Sequence, residues 1–125
     1  MIMRLHIKDT HTLPRATPYD LQRAFDGFEQ VIADNLMLAR YIGDLDIEMD
    51  LGQRQITFNG FIERPDGEWP RYYAQEAQMR MGQFARAFMA HFNLPRSIAE
   101  RRTDIRAADG SFAAVGELKF TVPAP

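Results

Sequence analysis

The chain has no cysteine among its 125 residues, which excludes a disulfide scaffold, thiolate zinc sites, iron–sulfur clusters and a cysteine nucleophile together. Stability has to come from noncovalent packing. Long apolar runs are also missing. Stretches such as Leu36-Met37-Leu38-Ala39 stop far short of the roughly 20 residues that span a bilayer, so no membrane partner is expected. Glycines occur singly, with no glycine-rich loop leading from a strand into a helix, and this removes phosphate cradling of the P-loop or dinucleotide type. Excess charge of either sign is lacking as well. Fifteen Lys and Arg against seventeen Asp and Glu leave a formal charge of -2, without the basic footprint of a general nucleic-acid binder.

Apolar residues make up 46% of the chain and charged residues 26%, a globular mixture, and the length fits a single α+β domain over residues 1–125. Met3, Leu5 and Ile7 alternate with Arg4, His6 and Lys8 at the period of a half-buried strand rather than a secretory signal, and a cytoplasmic location is expected. Residues 9–16 have no period and contain Pro14, so a loop is expected there. Thr17-Pro18-Tyr19-Asp20 starts a helix: Thr17 caps, Pro18 needs no N–H at the first position, and Asp20 can return a hydrogen bond.

From Leu21 to Ile42 apolar residues recur at three and four, which predicts one helix of about six turns stopped by Gly43. Asn35 falls inside that stripe and needs hydrogen-bond partners. Leu45, Ile47, Met49 and Leu51 then alternate with Asp44, Asp46, Glu48 and Asp50, and a second alternating run, Ile56 to Ile62, follows a turn at Gly52. The two predict a hairpin. Residues 64–70 read as a loop holding the only Trp, a second long helix is expected over 70–93, and one short helical turn over 95–101. Asp104-Ile105-Arg106 begins a fourth strand, Asp109-Gly110 is a hairpin turn, and Leu118, Phe120 and Val122 mark the last strand.

The expected architecture is therefore a two-layer α+β sandwich of order β-α-β-β-α-β-β. Two long helices cover one face of a mainly antiparallel sheet, and the first six elements match the order of ferredoxin-like folds. The closing segment, Arg102 to Val122, resembles phage tail-terminator proteins in element order. It covers under a quarter of the chain and has no diagnostic motif. That resemblance implies an assembly subunit and assigns no residue a role.

Candidate chemistry is sparse. His6, Asp9 and His11 group closely but match no standard ligand spacing, so no metal or other cofactor is expected. His91 lies at the edge of the second helical stripe. Thr10, Thr12, Ser97 and Ser111 lack the glycine-flanked turn that exposes a nucleophile, and no catalytic residue is assigned. Alternate carboxylates from Asp44 to Asp50 lie about 6.5 to 7 Å apart along a strand, too far to share one ion. Arg96, Arg101, Arg102 and Arg106 concentrate planar bidentate donors after the second helix and are candidates for an anion contact.

Six large side chains are left over from the predicted core: Met37 and Tyr41 on the first helix, Phe61 on the sheet, Trp69 before the second helix, and Tyr72 and Met79 upon it. Met, Tyr and Trp are enriched at contacts, so these six are the expected interaction surface. The expected function is a non-enzymatic interaction or assembly module, a bacterial or phage accessory protein that binds a protein partner or copies of itself. The alternatives are a small-molecule-binding or catalytic ferredoxin-like domain, a tail-terminator-like subunit and a weak nucleic-acid binder. A convergent polar pocket favours the first alternative, and salt-dependent retention on nucleic acid lost on replacing Arg101 and Arg102 favours the last.

Overall fold

The inward alternation of Leu5 and Ile7 continues through Asp9 and His11, so β1 (Ile2–Thr12) runs further than its apolar residues suggest. The computed structural model describes residues 2–65, 70–94 and 99–119. Residues 9–12, expected as a loop, are strand because neighbours flank them on both sides: β3 (Gln55–Pro65) and β4 (Glu100–Ala107) each pair with β1 antiparallel through Thr12. Polar side chains at two inward positions hide the pattern.

β2 (Gly43–Asp50) and β3 form the expected hairpin, and its turn is closed by Asp50 Oδ1 accepting from the Gln53 N–H at 3.0 Å. β4 and β5 (Ala113–Lys119) form another across Asp109-Gly110. Gly110, at φ 79, supplies the left-handed step there, and the Ser111 N–H donates to Asp109 Oδ1 at 2.9 Å. The sheet is antiparallel throughout, in the order β2-β3-β1-β4-β5. β4 begins at Glu100, so the short helical turn expected over 95–101 gives way to strand at its end, while 95–98 lie outside the described residues. Phe120 and Val122 lie outside them too.

Thr17 caps α1 (Pro18–Asp26) as expected, with a reciprocal pair of hydrogen bonds to Asp20, each 3.1 Å. The helix does not run on to Ile42. It breaks at Gly27 and again at Asn35, giving α2 (Phe28–Asp34) and α3 (Leu36–Ala39). Gly27 lies against Phe92, where an added Cβ would sit 2.6 Å from the ring. At Asn35 the amide Nδ2 donates back to the Val31 carbonyl at 2.9 Å. Each break shifts the buried stripe, so Leu21, Ala24, Phe28, Val31 and Ala39 are buried whereas Phe25 and Leu36 face solvent.

The expected ferredoxin-like sandwich with two long helices is thereby corrected. α4 (Pro70–His91) is the one long helix among the described residues and the first helical stretch is three short pieces, so two long helices do not cover the sheet, while the fifth strand expected from the C-terminal hairpin is present. The helices pack on one face. Phe58 of β3 meets Phe84 and Phe88 of α4 edge-on, Phe28 of α2 meets the same two rings, and Leu5, Ile7, Ile56 and Met81 are fully buried around them. Among the described residues no helix is long and apolar enough to cross a membrane.

On the opposite face, Arg4, His6 and Lys8 could have lain beside Asp46, Glu48 and Asp50. β3 separates them instead, with Asn59 and Thr57 between, and β1 neighbours the mixed charges of β4, where Lys8 faces Asp104 and His6 faces Arg106.

Candidate functional site

The hairpin register places Gly43, the first residue of β2, opposite Phe61, and a register shift follows before Asp46. Asp44 takes φ 51 within that bulge, which swings its carboxylate to Arg4 Nη2 at 3.2 Å. Arg4 lies with its guanidinium 4.1 Å from the Phe61 ring centroid, and His6 stacks obliquely on the same ring at 4.9 Å. The end of the sheet thus carries one arginine–aromatic stack.

A second one faces it from the helices. Tyr41 follows α3 and receives a hydrogen bond from Arg40 Nη2 at 2.8 Å, while Arg80 of α4 lies 4.1 Å from its ring centroid. Arg80 also donates through Nη2 and Nε to Glu76 Oε1, at 2.8 and 3.1 Å, one helical turn away. The Arg40 hydrogen bond, then the Arg40 charge, hold the exposed Tyr41 phenol below the usual tyrosine range. Arg40 has no carboxylate partner among the described residues, unlike Arg4 and Arg80.

Between the two stacks lies a cleft of about 540 Å³, floored by Ile62 and Tyr73 and open to solvent. Its polar side chains are three guanidiniums, the phenols of Tyr41 and Tyr73 and the carboxylates of Glu63 and Glu76. That set can grip an anionic group through planar donors while aromatic faces hold an apolar or flat neighbour.

No known family, curated protein or solved structure matches this chain.

Of the six side chains expected at an interaction surface, Tyr41 and Phe61 come together as walls of the cleft. Tyr72 and Met79 are exposed on α4, next in sequence to the cleft residues Tyr73 and Arg80, and Met37 is exposed on α3 beside the exposed Leu36. Trp69 lies outside the described residues. The four candidate anion contacts do not gather: Arg96 lies outside the described residues, and Arg102 and Arg106 sit on the open sheet face against Glu117 and Asp104, at 2.8 and 3.1 Å.

Arg101 turns inward to a different cluster. Its Nε and Nη2 donate to the two oxygens of Asp9 at 3.0 and 3.2 Å, and Nη2 also donates to the Gln78 carbonyl at 3.0 Å. The fully buried Asp9 accepts as well from Thr103 Oγ1 at 3.0 Å and from His11 Nε2 at 2.9 Å. Gly82 makes room, since a Cβ there would come 3.0 Å from the Arg101 guanidinium. Burial pushes the Asp9 carboxyl up, but the His11 hydrogen bond and charge, joined by those of Arg101, outweigh it and leave the group below the usual carboxylate range. This cluster ties β1 to β4 and α4. His6, grouped with Asp9 and His11 in the sequence, points to the other face, and among the described residues no three such groups are arranged to hold a metal ion.

Sequence reasoning missed Arg40, Arg80, Glu76 and Tyr73 as cleft residues. One signal was available: Glu76 and Arg80 stand four apart on the second predicted helix, the spacing that fixes a guanidinium in place. Nothing in the sequence brings that arginine to Tyr41, because the approach of α3 to α4 follows from the helix breaks.

Proposed function

We propose that this chain is a non-enzymatic protein-interaction module whose arginine–aromatic cleft takes an acidic side chain of a partner protein, with a neighbouring aromatic or aliphatic anchor of that partner against Tyr41 and Phe61. The Arg40 guanidinium carries this reading: it is held on Tyr41, is left without a carboxylate partner among the described residues, and stands beside the exposed Leu36 and Met37. Contact surfaces combine a few anchored arginines and aromatics with an apolar surround, which is the composition found here. A cytoplasmic location belongs to this proposal.

The test is an NMR titration with two synthetic peptides, one alternating Glu and Phe and the other alternating Lys and Phe. The acidic peptide shifts the resonances of Arg40, Tyr41, Phe61 and Arg80, and Arg40→Glu weakens its binding about tenfold or more. Equal binding of the two peptides, or an Arg40→Glu protein that binds as well as the parent, overturns the proposal.

The volume of the cleft favours a second reading, a small organic anion as ligand, because about 300 to 1,000 Å³ is the range of small-molecule sites. Phenyl phosphate and benzoate are the discriminating probes. Saturable shifts at Arg40 and Tyr41 with either compound support that reading, and shifts with the peptide alone support the first.

A further inference from the structure

The two walls of the cleft carry opposite charge. On the sheet side, Glu63 lies two residues beyond Phe61 along β3 and so projects from the same face, directly across from Arg4 of β1 in the register. Arg4 turns instead to Asp44, at 3.2 Å, and lays its guanidinium on the Phe61 ring. Two carboxylates thus stand against one guanidinium on this wall, and the exposed Glu63 has no hydrogen bond or ion pair among the described residues. The helix wall is the reverse. Arg40 and Arg80 stand against one carboxylate, Glu76, which is bonded to Arg80 and leaves Arg40 on the Tyr41 phenol.

Glu63 and Arg40 both line the cleft, with Ile62 and Tyr73 as its floor, and no ion pair joins them among the described residues. One unmatched negative group and one unmatched positive group therefore face a single ligand space of about 540 Å³. A ligand that is only an anion satisfies Arg40 but brings its charge toward Glu63, and a ligand that is only a cation meets the converse at Arg40. A ligand carrying both charges satisfies both groups, and the like-charge contacts that penalise the simpler ligands are a means of discriminating among partners. We infer, building on the acid-binding reading of this cleft, that the partner segment bears a basic residue beside its acidic one: Arg40 takes the carboxylate and Glu63 takes the ammonium or guanidinium. Adjacent side chains of an extended segment point to opposite sides, so an acid and a base next to each other in the partner reach opposite walls at once. Arg40 then anchors the segment and Glu63 sets its specificity. Both groups are exposed, so the Glu63 contact changes affinity about threefold rather than by orders of magnitude.

The test is an NMR titration of the full chain with two peptides of equal length, one repeating Glu-Lys-Phe and the other Glu-Gln-Phe, on the parent, Glu63→Gln, Glu63→Lys and Glu48→Gln. The parent binds the lysine peptide about threefold tighter. Glu63→Gln removes that preference, Glu63→Lys reverses it, and Glu48→Gln, which removes the same charge from β2 away from the cleft, keeps it. Circular dichroism checks folding, and should Glu63→Gln fail to fold, Glu63→Lys decides. Equal binding of the two peptides by the parent overturns the inference, as does a preference that survives both Glu63 substitutions or one that Glu48→Gln also abolishes. In each of these cases, shifts at Arg40 and Tyr41 with the Glu-Gln-Phe peptide leave the acid-binding reading intact. Absence of such shifts with both peptides overturns the two together.

Discussion

Two arginine-centred clusters, built from similar residue types, sit on opposite sides of the boundary with solvent. Arg101 lies under α4 with a carboxylate, a carbonyl and a neighbouring histidine and threonine all bound into one network. The exposed Arg40 and the half-buried Arg80 lie around a single phenol, and only Arg80 has a carboxylate partner among the described residues. In the first, every acceptor of Asp9 is engaged by the protein, so the network is committed to holding β1, β4 and α4 together. In the second, donors are oriented but remain available. Removing a partner therefore costs folding in one place and binding in the other.

The largest effect is expected at Asp9. Asp9→Asn keeps the shape but leaves Arg101 without its counter-charge beneath α4, and breaking a buried pair in this way costs about 3 kcal/mol. Urea unfolding measures it. Replacing Arg101 by Met removes the stranded charge, so the double variant should lose less than the sum of the single losses, with a coupling of about 1 to 3 kcal/mol. A loss under about 1 kcal/mol for Asp9→Asn would show that the network contributes little to stability and would erase the contrast with the cleft.

A smaller effect follows the proton. The Asp9 carboxyl titrates below its ordinary value in the folded chain, so the unfolded chain takes up that proton at higher pH than the folded one does. Its stabilisation is then fully present above the unfolded carboxylate value of about 3.9 and is lost as pH falls through the folded value. The difference in unfolding free energy between the parent and Asp9→Asn should narrow as pH falls from about 5 toward about 2. A difference that stays level over that range would mean that the carboxylate gains nothing from His11 and Arg101 beyond shape.

Much of the sheet was legible because β2 and β3 alternate cleanly and Thr17 and Asp20 spell a capping box. The inward strand pattern at Asp9 and His11 was not, since both residues are polar and the partner that makes their burial tolerable, Arg101, lies on a strand whose adjacency no local pattern encodes. The helix breaks escaped for another reason: Leu21 to Ile42 keeps helical spacing through Gly27 and Asn35, and only the tertiary approach of Phe92 and the back-bonding of the Asn35 amide select the breaks. Of the candidate site, Tyr41 and Phe61 could be named as leftovers of the core. Their meeting could not, because it needs both the register of Gly43 against Phe61 and the packing of α3 on α4.

The smallest expected effect is a titration at the exposed cluster. The Tyr41 phenol is held below the usual tyrosine range, first by the hydrogen bond from Arg40 and then by the Arg40 charge, with Arg80 adding to it. Arg40→Gln keeps a side-chain donor but removes the charge, so the tyrosinate absorbance assigned to Tyr41 should appear at higher pH than in the parent. Arg80→Gln should move it less, because that charge is already met by Glu76. Arg40→Gln is not expected to shift the urea midpoint measurably, since Arg40 is exposed and has no carboxylate partner among the described residues. An Arg40→Gln chain that titrates like the parent would remove the electrostatic link between these side chains. One that unfolds as readily as Asp9→Asn would mean the cleft arginines are structural after all, and the distinction between a committed cluster and an available one would collapse.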